Sequence, residues 1–574
     1  MAERPVFELG LVMAGAISAG AYTAGVMDFL IEALDAYYAA RDGADWSGPR
    51  HDVRVPVLAG ASAGGMTSAI AAVHFMHPMT HVRPGQALGP QQARQNQLYH
   101  SWVQEIDIAK LLGTRDIEER PELVSALDSS ALKAIAEGAL SVDGPRTRRP
   151  WVADPLAVFL TVANLRGIPC GFKLYGTRAS DAYGMTNHMD DMRFAVTWDA
   201  DTPAGFVPLP AADCPGGAWP LLAESALATG AFPVGLSPRI LTRSIRDYFG
   251  RDDMRDPALD DVPEEYRFVC VDGGLMNNEP LEQARRYLAR KERSGHSPRQ
   301  GEAATRAVIM IDPFPNQISF TPYSDGGDRL LAMVPRMFNA LVSQARFKPE
   351  ELALAENDNV FSRFMISPSR RDDQGRQVDY AIASATLGGF GGFFEESFRR
   401  HDYLLGRKNC QSFLKRYLTL PDNNALFDAM SEDQKSAWQV KERSGEPRLV
   451  DAGDGSQRPA LPIIPLAAHL QADEEIAPAD RPQPESVDLD RIRKQVRARI
   501  KAVAHTLIFD ELGDHLPWLV RQGARLSMKL SLEKKMTDAV MAKLEEGLSP
   551  LGPLGGQSAG GTGKPRPAME NQRD

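Results

Sequence analysis

An α/β fold with a mainly parallel central sheet is predicted by three features of the chain. The apolar runs Val6–Met13 and 53–59 (VRVPVLA) each pass through a Gly- and Ala-rich turn into a helical pattern. Later apolar runs at 267–271 (RFVCV) and 307–311 (AVIMI) each end in an aspartate. Strands that alternate with helices in this way pair in parallel, because a helix must carry the chain back between them.

The bulk numbers agree. The chain has 574 residues, 43% hydrophobic and 24% charged, a globular balance. At ~150 residues per domain, that length is enough for two to four units. The net charge of -10 argues against a nucleic-acid partner. Cys170, Cys214, Cys270 and Cys410 form no C-x-x-C pair, so neither a zinc site nor a disulfide framework is expected. Reduced, buried thiols in a cytoplasmic protein are the expectation, and no metal or cofactor is called for. Residues 9–27 carry no charge, yet a signal peptide wants a basic start and Arg4 is flanked by Glu3 and Glu8. The stretch is also mostly Gly, Ala, Ser and Thr, which gain little from lipid.

After the first strand, helical pattern begins near Ala19, with Tyr22, Val26, Phe29, Leu30 and Leu34 on one face. After the second, a helix spans 63–75. Residues 76–150 read as a helical insertion, with helices at 98–112 and 130–140, and sheet pattern returns at 152–165 and 171–177. Helical pattern resumes near 330 and over 394–418. The catalytic unit is therefore placed at 1–420. Residues 421–485 read as an irregular Pro-rich linker, 486–548 as a helical extension and 549–574 as a disordered tail. Within the extension, Arg491, Arg493, Lys494, Arg497, Arg499 and Lys501 surround a stripe of Ile492, Val496, Ile500, Val503 and Leu507. Such a helix either packs its stripe on the protein, the expectation here, or lies peripherally on an anionic membrane surface.

The chemistry concentrates at Gly60-Ala61-Ser62-Ala63-Gly64, a G-x-S-x-G between a strand and a helix. A serine projecting from a sharp turn needs small neighbours, and the helix N-terminus below it favours negative charge. The serine also needs a base. The histidines after position 272 are His296, His401, His469, His505 and His515; only His401 stays in view, because the others sit in charged or C-terminal stretches. Asp272 ends the 267–271 strand and precedes Gly273-Gly274, facing the crevice where α/β sheets bind ligands.

Two further blocks join these, Gly15-Ala16-Ile17-Ser18-Ala19-Gly20 and ALATGAFP at 226–233. In this order the four blocks resemble the patatin-like phospholipases, which carry a Gly-rich oxyanion turn, the elbow, an A-x-x-x-x-x-F-P segment and a D-G-G or D-G-A motif. The resemblance spans roughly residues 6–315 and weakens to about 418. It implies a three-layer α/β/α fold, a Ser–Asp dyad with Ser62 as nucleophile and Asp272 as base, and acyl-ester hydrolysis through an acyl-enzyme. Backbone amides of Gly15, Ala16 and Ile17 would form the oxyanion hole, while Gly60, Gly64, Gly273 and Gly274 shape the turns. A lipid acyl ester is the implied substrate, with a soluble ester or thioester next, and a weakly catalytic lipid-binding scaffold as the alternative of another class. The chain departs from the family in the first turn, where two glycines and a basic residue are replaced. Ala and Ile disfavour positive φ, so the turn is expected to avoid that region.

Overall fold

The structure is a computed structural model, and it describes residues 4–554 apart from 173–182, 315–332, 345–359, 508–532, shorter stretches within 252–263, 291–296 and 331–342, and isolated positions. Strands β1 (Val6–Met13) and β2 (Asp52–Gly60) fall almost where their apolar runs place them, followed by helices α1 (Gly20–Arg41) and α2 (Ser62–His74). They enter a nine-stranded sheet with β3 (Val152–Phe172), β4 (Tyr183–Thr197), β5 (Val207–Pro210), β6 (Arg239–Ser244), β7 (Glu265–Asp272), β8 (Arg306–Ile311) and β9 (Arg363–Ile366). The order along the main path is β5-β4-β3-β2-β1-β8-β9, with β7 on β3 and β6 on β7. The β1–β2, β2–β3, β1–β8, β8–β9 and β4–β5 pairs are parallel, and β3–β4, β3–β7 and β6–β7 are antiparallel.

Alternation along β1 builds the layers. Phe7, Leu9, Leu11 and Met13 enter the main core with α1 and α2. Val12 faces the other way, with Val57, Ala59, Val308 and Met310, onto Ala284, Tyr287 and Leu288 of the helix Leu281–Ala289. Period-two side chains thus bury both faces of the sheet under helices, the expected α/β/α arrangement. The uncharged 9–27 stretch is β1 and the start of α1, both buried. The closing helix Glu396–Arg416 crosses α1 at close range. A Cβ on Gly25 would lie 1.8 Å from the Tyr403 carbonyl, and one on Gly406 2.1 Å from that of Tyr22. Arg407, fully buried at this crossing, pairs with Asp28 at 3.1 Å and Glu32 at 2.6 Å.

Several expectations are corrected. The single helix expected over 98–112 is broken, because Ile106 is extended (φ -81, ψ 130) and Asp107 caps a new start through the Ala109 amide. Residues 421–485 are not an irregular linker. Thr419–Pro421, Leu449–Asp451 and Gln457–Pro462 form a three-stranded antiparallel sheet, and Ile463 and Ile464 are buried in the main core. Glu474 also reaches Arg407 at 2.6 Å. The composition that resembles a linker conceals a short apolar run, LPIIPLAA, which is what anchors it. The basic helix is Leu489–His505, with Ile492 and Val496 packed against Phe398, Met541 and Leu544. Its Arg499 is buried and bonds the Gly113, Ser125 and Ala126 carbonyls as well as Asp116. This helix packs the Ile492, Val496 and Ile500 part of its stripe on the protein and leaves Leu507 exposed. The extension also contains the helix Glu533–Leu548. The helical pattern near 330 and the tail from 555 lie outside the described residues, and so does His296.

Candidate functional site

The site forms where β1, β2 and β7 end. The Ala61 amide donates to the Met13 carbonyl at 3.2 Å, so the two parallel strands stay paired up to the elbow. Ser62 is the first residue of α2 and holds φ 52, a conformation that L-residues rarely adopt. Gly64 is forced, since a Cβ there would sit 2.1 Å from the Met13 carbonyl oxygen; one on Gly60 would sit 2.5 Å from the Gly64 oxygen. The elbow is therefore sharp because its flanks carry no side chains.

Asp272 comes from the antiparallel limb of the sheet, where it pairs with Val162 of β3. Ser62 Oγ donates to Asp272 Oδ2 at 2.6 Å, and Gly274 N–H donates to Asp272 Oδ1 at 2.7 Å. A Cβ on Gly273 would strike the Thr161 oxygen at 2.2 Å, so the D-G-G turn has no room for a larger residue. Burial pushes the Asp272 carboxyl up to about 6, against the two hydrogen bonds that favour its charged form. The carboxylate is thus poised to accept a proton near neutrality.

The 226–233 block joins the two. The Ser62 amide donates to Thr229 Oγ1 at 2.9 Å, and the Asp272 amide to the Ala231 carbonyl at 2.9 Å. Thr229 and Asn278 are residues to which sequence reasoning assigned no role. Asn278 links the D-G-G loop to the first turn, because its carbonyl accepts from the Gly15 amide at 3.1 Å. That bond corrects the expectation for Gly15. Its N–H is already used, and the residue provides room instead: a Cβ on it would lie 2.2 Å from Asn278 Oδ1 and 3.1 Å from Ser62 Cβ. Ala16 and Ile17 remain as candidate donors beside the nucleophile.

The first turn also overturns the expectation about its backbone, since Ile17 holds φ 47. A segment far along the chain supports it there. Ser18 Oγ donates to the Gly389 carbonyl at 2.5 Å and accepts from the Gly392 amide at 3.0 Å. The Gly-Gly-Phe-Gly-Gly-Phe-Phe run at 388–394 is the sequence signal for this support. Among the described residues four non-glycines have positive φ: Ile17, Ser62, Val234 and Leu387. Ile17 and Ser62 line one cleft, and Val234 and Leu387 lie within three residues of its walls at Phe232, Gly235 and Phe390. Strained backbone gathered in this way singles out the cleft as the candidate functional site.

The cleft is narrow, about 50 Å³, with Ser62 and Asp272 among apolar walls from Met66, Trp102, Leu132, Phe232, Phe390 and Phe393. A second apolar hollow of about 60 Å³ shares Met66, Trp102, Ile106 and Leu132 with it and lies between α2 and the helices Ser130–Ala139 and Trp219–Thr229. The 76–150 insertion thus supplies much of the wall. His401 is elsewhere, in the closing helix, with Nδ1 2.9 Å from Asp402 Oδ1.

No protein-family model matches the chain. It is 36% identical over 568 residues to "Uncharacterized protein y4iI" of Sinorhizobium fredii, an alignment covering 89% of this chain and 77% of that protein. The chain belongs to that protein's family. Among solved structures, VipD from Legionella pneumophila is 12% identical, with 95% of this chain and 92% of VipD covered, at a TM-score of 0.19, too low to relate the two folds.

Proposed function

We propose that the chain is a serine acyl hydrolase in which Ser62 is the nucleophile and Asp272 its only base. The observation that carries this reading is the 2.6 Å hydrogen bond from Ser62 Oγ to a buried carboxylate, at a strained strand-to-helix elbow that opens on a cleft. As Oγ attacks an ester carbonyl, its proton passes to Asp272 Oδ2. The oxyanion faces the Ala16 and Ile17 amides and the N-terminus of α2. Collapse of the adduct expels the alcohol, which takes the proton from Asp272 and leaves an acyl-Ser62 ester. Water then attacks that ester with Asp272 again as base, releasing the acid and restoring the serine.

The walls favour a lipid acyl ester. Aliphatic and aromatic side chains line both the cleft and the adjoining hollow, and Met66, Trp102, Ile106 and Leu132 form the wall between them, surfaces that suit an acyl chain better than a polar group. The backbone of the first turn, though built without the family's glycines, adopts a left-handed residue beside Ser62, which favours an enzyme over a scaffold.

A fluorophosphonate probe tests the assignment. It is expected to label the wild-type protein and to miss Ser62→Ala, with both proteins equally folded by circular dichroism. Equal labelling of the two would move the nucleophile elsewhere. Turnover of phosphatidylcholine vesicles against a short p-nitrophenyl ester then separates a lipase from a soluble esterase.

A further inference from the structure

The closing helix borders a second cavity, of about 830 Å³, that shares no lining residue with the Ser62 cleft. That volume is in the ~300–1,000 Å³ range of small-molecule sites. Five cationic side chains line it, Arg370, Arg371, Lys408, Arg416 and Arg481, against Asp372, Asp473 and Glu475. Two of the three carboxylates are engaged by cations that do not line the cavity. Asp372 pairs with Arg376 at 2.8 Å, and Asp473 pairs with Lys415 and, at 3.9 Å, with Arg416 of the lining. The surplus charge around the cavity is positive.

Two buried polar atoms at its wall lack a partner among the described residues. One is Nε2 of His401, a side chain only 1% exposed. The other is Nε of Arg370, whose guanidinium otherwise donates to the Tyr380 carbonyl at 3.1 Å. Leaving such groups unmatched is costly. Burial also depresses the Arg370 pKa, with Arg481 acting in the same direction and Asp402 against it. An anion between these groups would relieve both penalties.

The same wall is wired to the active site. Asp402 accepts from His401 Nδ1 on one side, and from the Ala383 and Ser384 amides, each at 2.8 Å, on the other. Those amides begin the segment that holds Ser18 through Gly389 and Gly392 and supplies Phe390 and Phe393 to the Ser62 cleft.

We infer that this cavity binds a small phosphate-bearing anion between His401 and Arg370, and that its occupancy tunes the Ser62 site through Asp402 and the 383–394 segment. A phosphate monoester suits the wall. Its oxygens accept from Arg370 and Lys408, and a P–OH donates to His401 Nε2, which is the free acceptor when Nδ1–H is committed to Asp402. The coupling rests on the hydrolase reading, but the binding does not.

Titration calorimetry with inorganic pyrophosphate tests the binding. Wild type is expected to bind, Arg370→Gln and the half-exposed Lys408→Gln to bind at least ~10-fold more weakly, and Arg493→Gln, in the C-terminal helix, to match wild type. Vesicle flotation separates two sources of the phosphate. Recruitment to phosphatidic acid vesicles that is lost in both cavity variants identifies a lipid headgroup; pyrophosphate binding without such recruitment identifies a soluble metabolite. Absence of both, or binding that is equal in wild type and both cavity variants, overturns the site. Pyrophosphate should also change p-nitrophenyl ester turnover by wild type and leave Lys408→Gln unaffected. Binding without that change removes the coupling and keeps the site, and a wild type without turnover strikes the hydrolase reading alone.

Discussion

Two strand-to-helix turns sit side by side at the ends of β1 and β2, and they reach the same backbone state by different means. Each places a non-glycine residue at positive φ, Ile17 at 47 and Ser62 at 52. The elbow at Ser62 is supported mostly by its own small residues, with single hydrogen bonds to Met13 and Thr229. Gly60 and Gly64 are small because their neighbours' carbonyls leave no room for a Cβ, and the helix starts at once. The turn at Ile17 has little local support. It is held by Ser18, through bonds to residues more than 370 positions away. One turn is shaped mainly by its own five residues, with Met13 and Thr229 bracing it from outside, and the other depends on a segment at the far end of the fold.

If the elbow carries the chemistry, the largest effect comes from its base. Asp272→Asn keeps the shape but removes the proton acceptor, and esterase kcat is expected to fall at least ~1,000-fold. A variant retaining more than a tenth of wild-type activity would end the dyad reading. The wild-type rate should rise with pH through about 6, the value to which burial raises Asp272, and level off above it. The stability sign follows from the same carboxyl. Its folded value lies above its ordinary 3.8, so the folded protein holds a proton that the unfolded chain has lost between about 4 and 6. The stability from that proton is full below the unfolded value and is lost as pH rises through about 6. At pH 8, Asp272→Asn is therefore expected to be more stable than wild type by ~2 kcal/mol in urea unfolding, an advantage that vanishes by pH 4.

The contrast between the turns also explains what the sequence made legible. Sharp-ended apolar runs and sterically required glycines carry their own signature, so β1, β2, the elbow and the D-G-G turn were readable from single stretches. Thr229, Asn278 and the 383–394 support act across the fold, and no local pattern marks a threonine that accepts from an amide 167 positions away. Local composition also misled at 421–485, where Pro and acidic residues surround Ile463 and Ile464, and at 98–112, where periodicity continued past the Asp107 cap. The positive φ of Ile17 runs against residue preference, a preference of a few kcal/mol at most that tertiary hydrogen bonds offset.

The second-largest effect should come from the tertiary turn. Proline is fixed near φ -65° and has no N–H. Ile17→Pro therefore removes a candidate oxyanion donor and the left-handed state together, and kcat is expected to fall ~100-fold or more with KM within a few-fold. Ile17→Gly keeps the amide and accepts φ 47 freely, so its kcat should stay within roughly 10-fold of wild type. An Ile17→Pro enzyme as active as wild type would take the oxyanion role away from this turn.

The smallest effect distinguishes the two kinds of support. At Ser62 the left-handed backbone is imposed by the elbow, and the side chain contributes one hydrogen bond, to Asp272. Ser62→Gly relieves the φ penalty while Ser62→Ala retains it, so the glycine variant should be the more stable of the two by ~1 kcal/mol. At Ile17 the gain is opposed. A glycine there relieves the same φ but withdraws a partly buried apolar side chain that packs on the main core at the cleft wall. Losing that packing costs about as much as the relief returns. Ile17→Gly is therefore expected to match or fall below wild type in melting temperature, while Ser62→Gly exceeds Ser62→Ala. Equal stabilisation by glycine at both positions would show that the distant segment adds nothing to the first turn, and the contrast between local and tertiary support would fail.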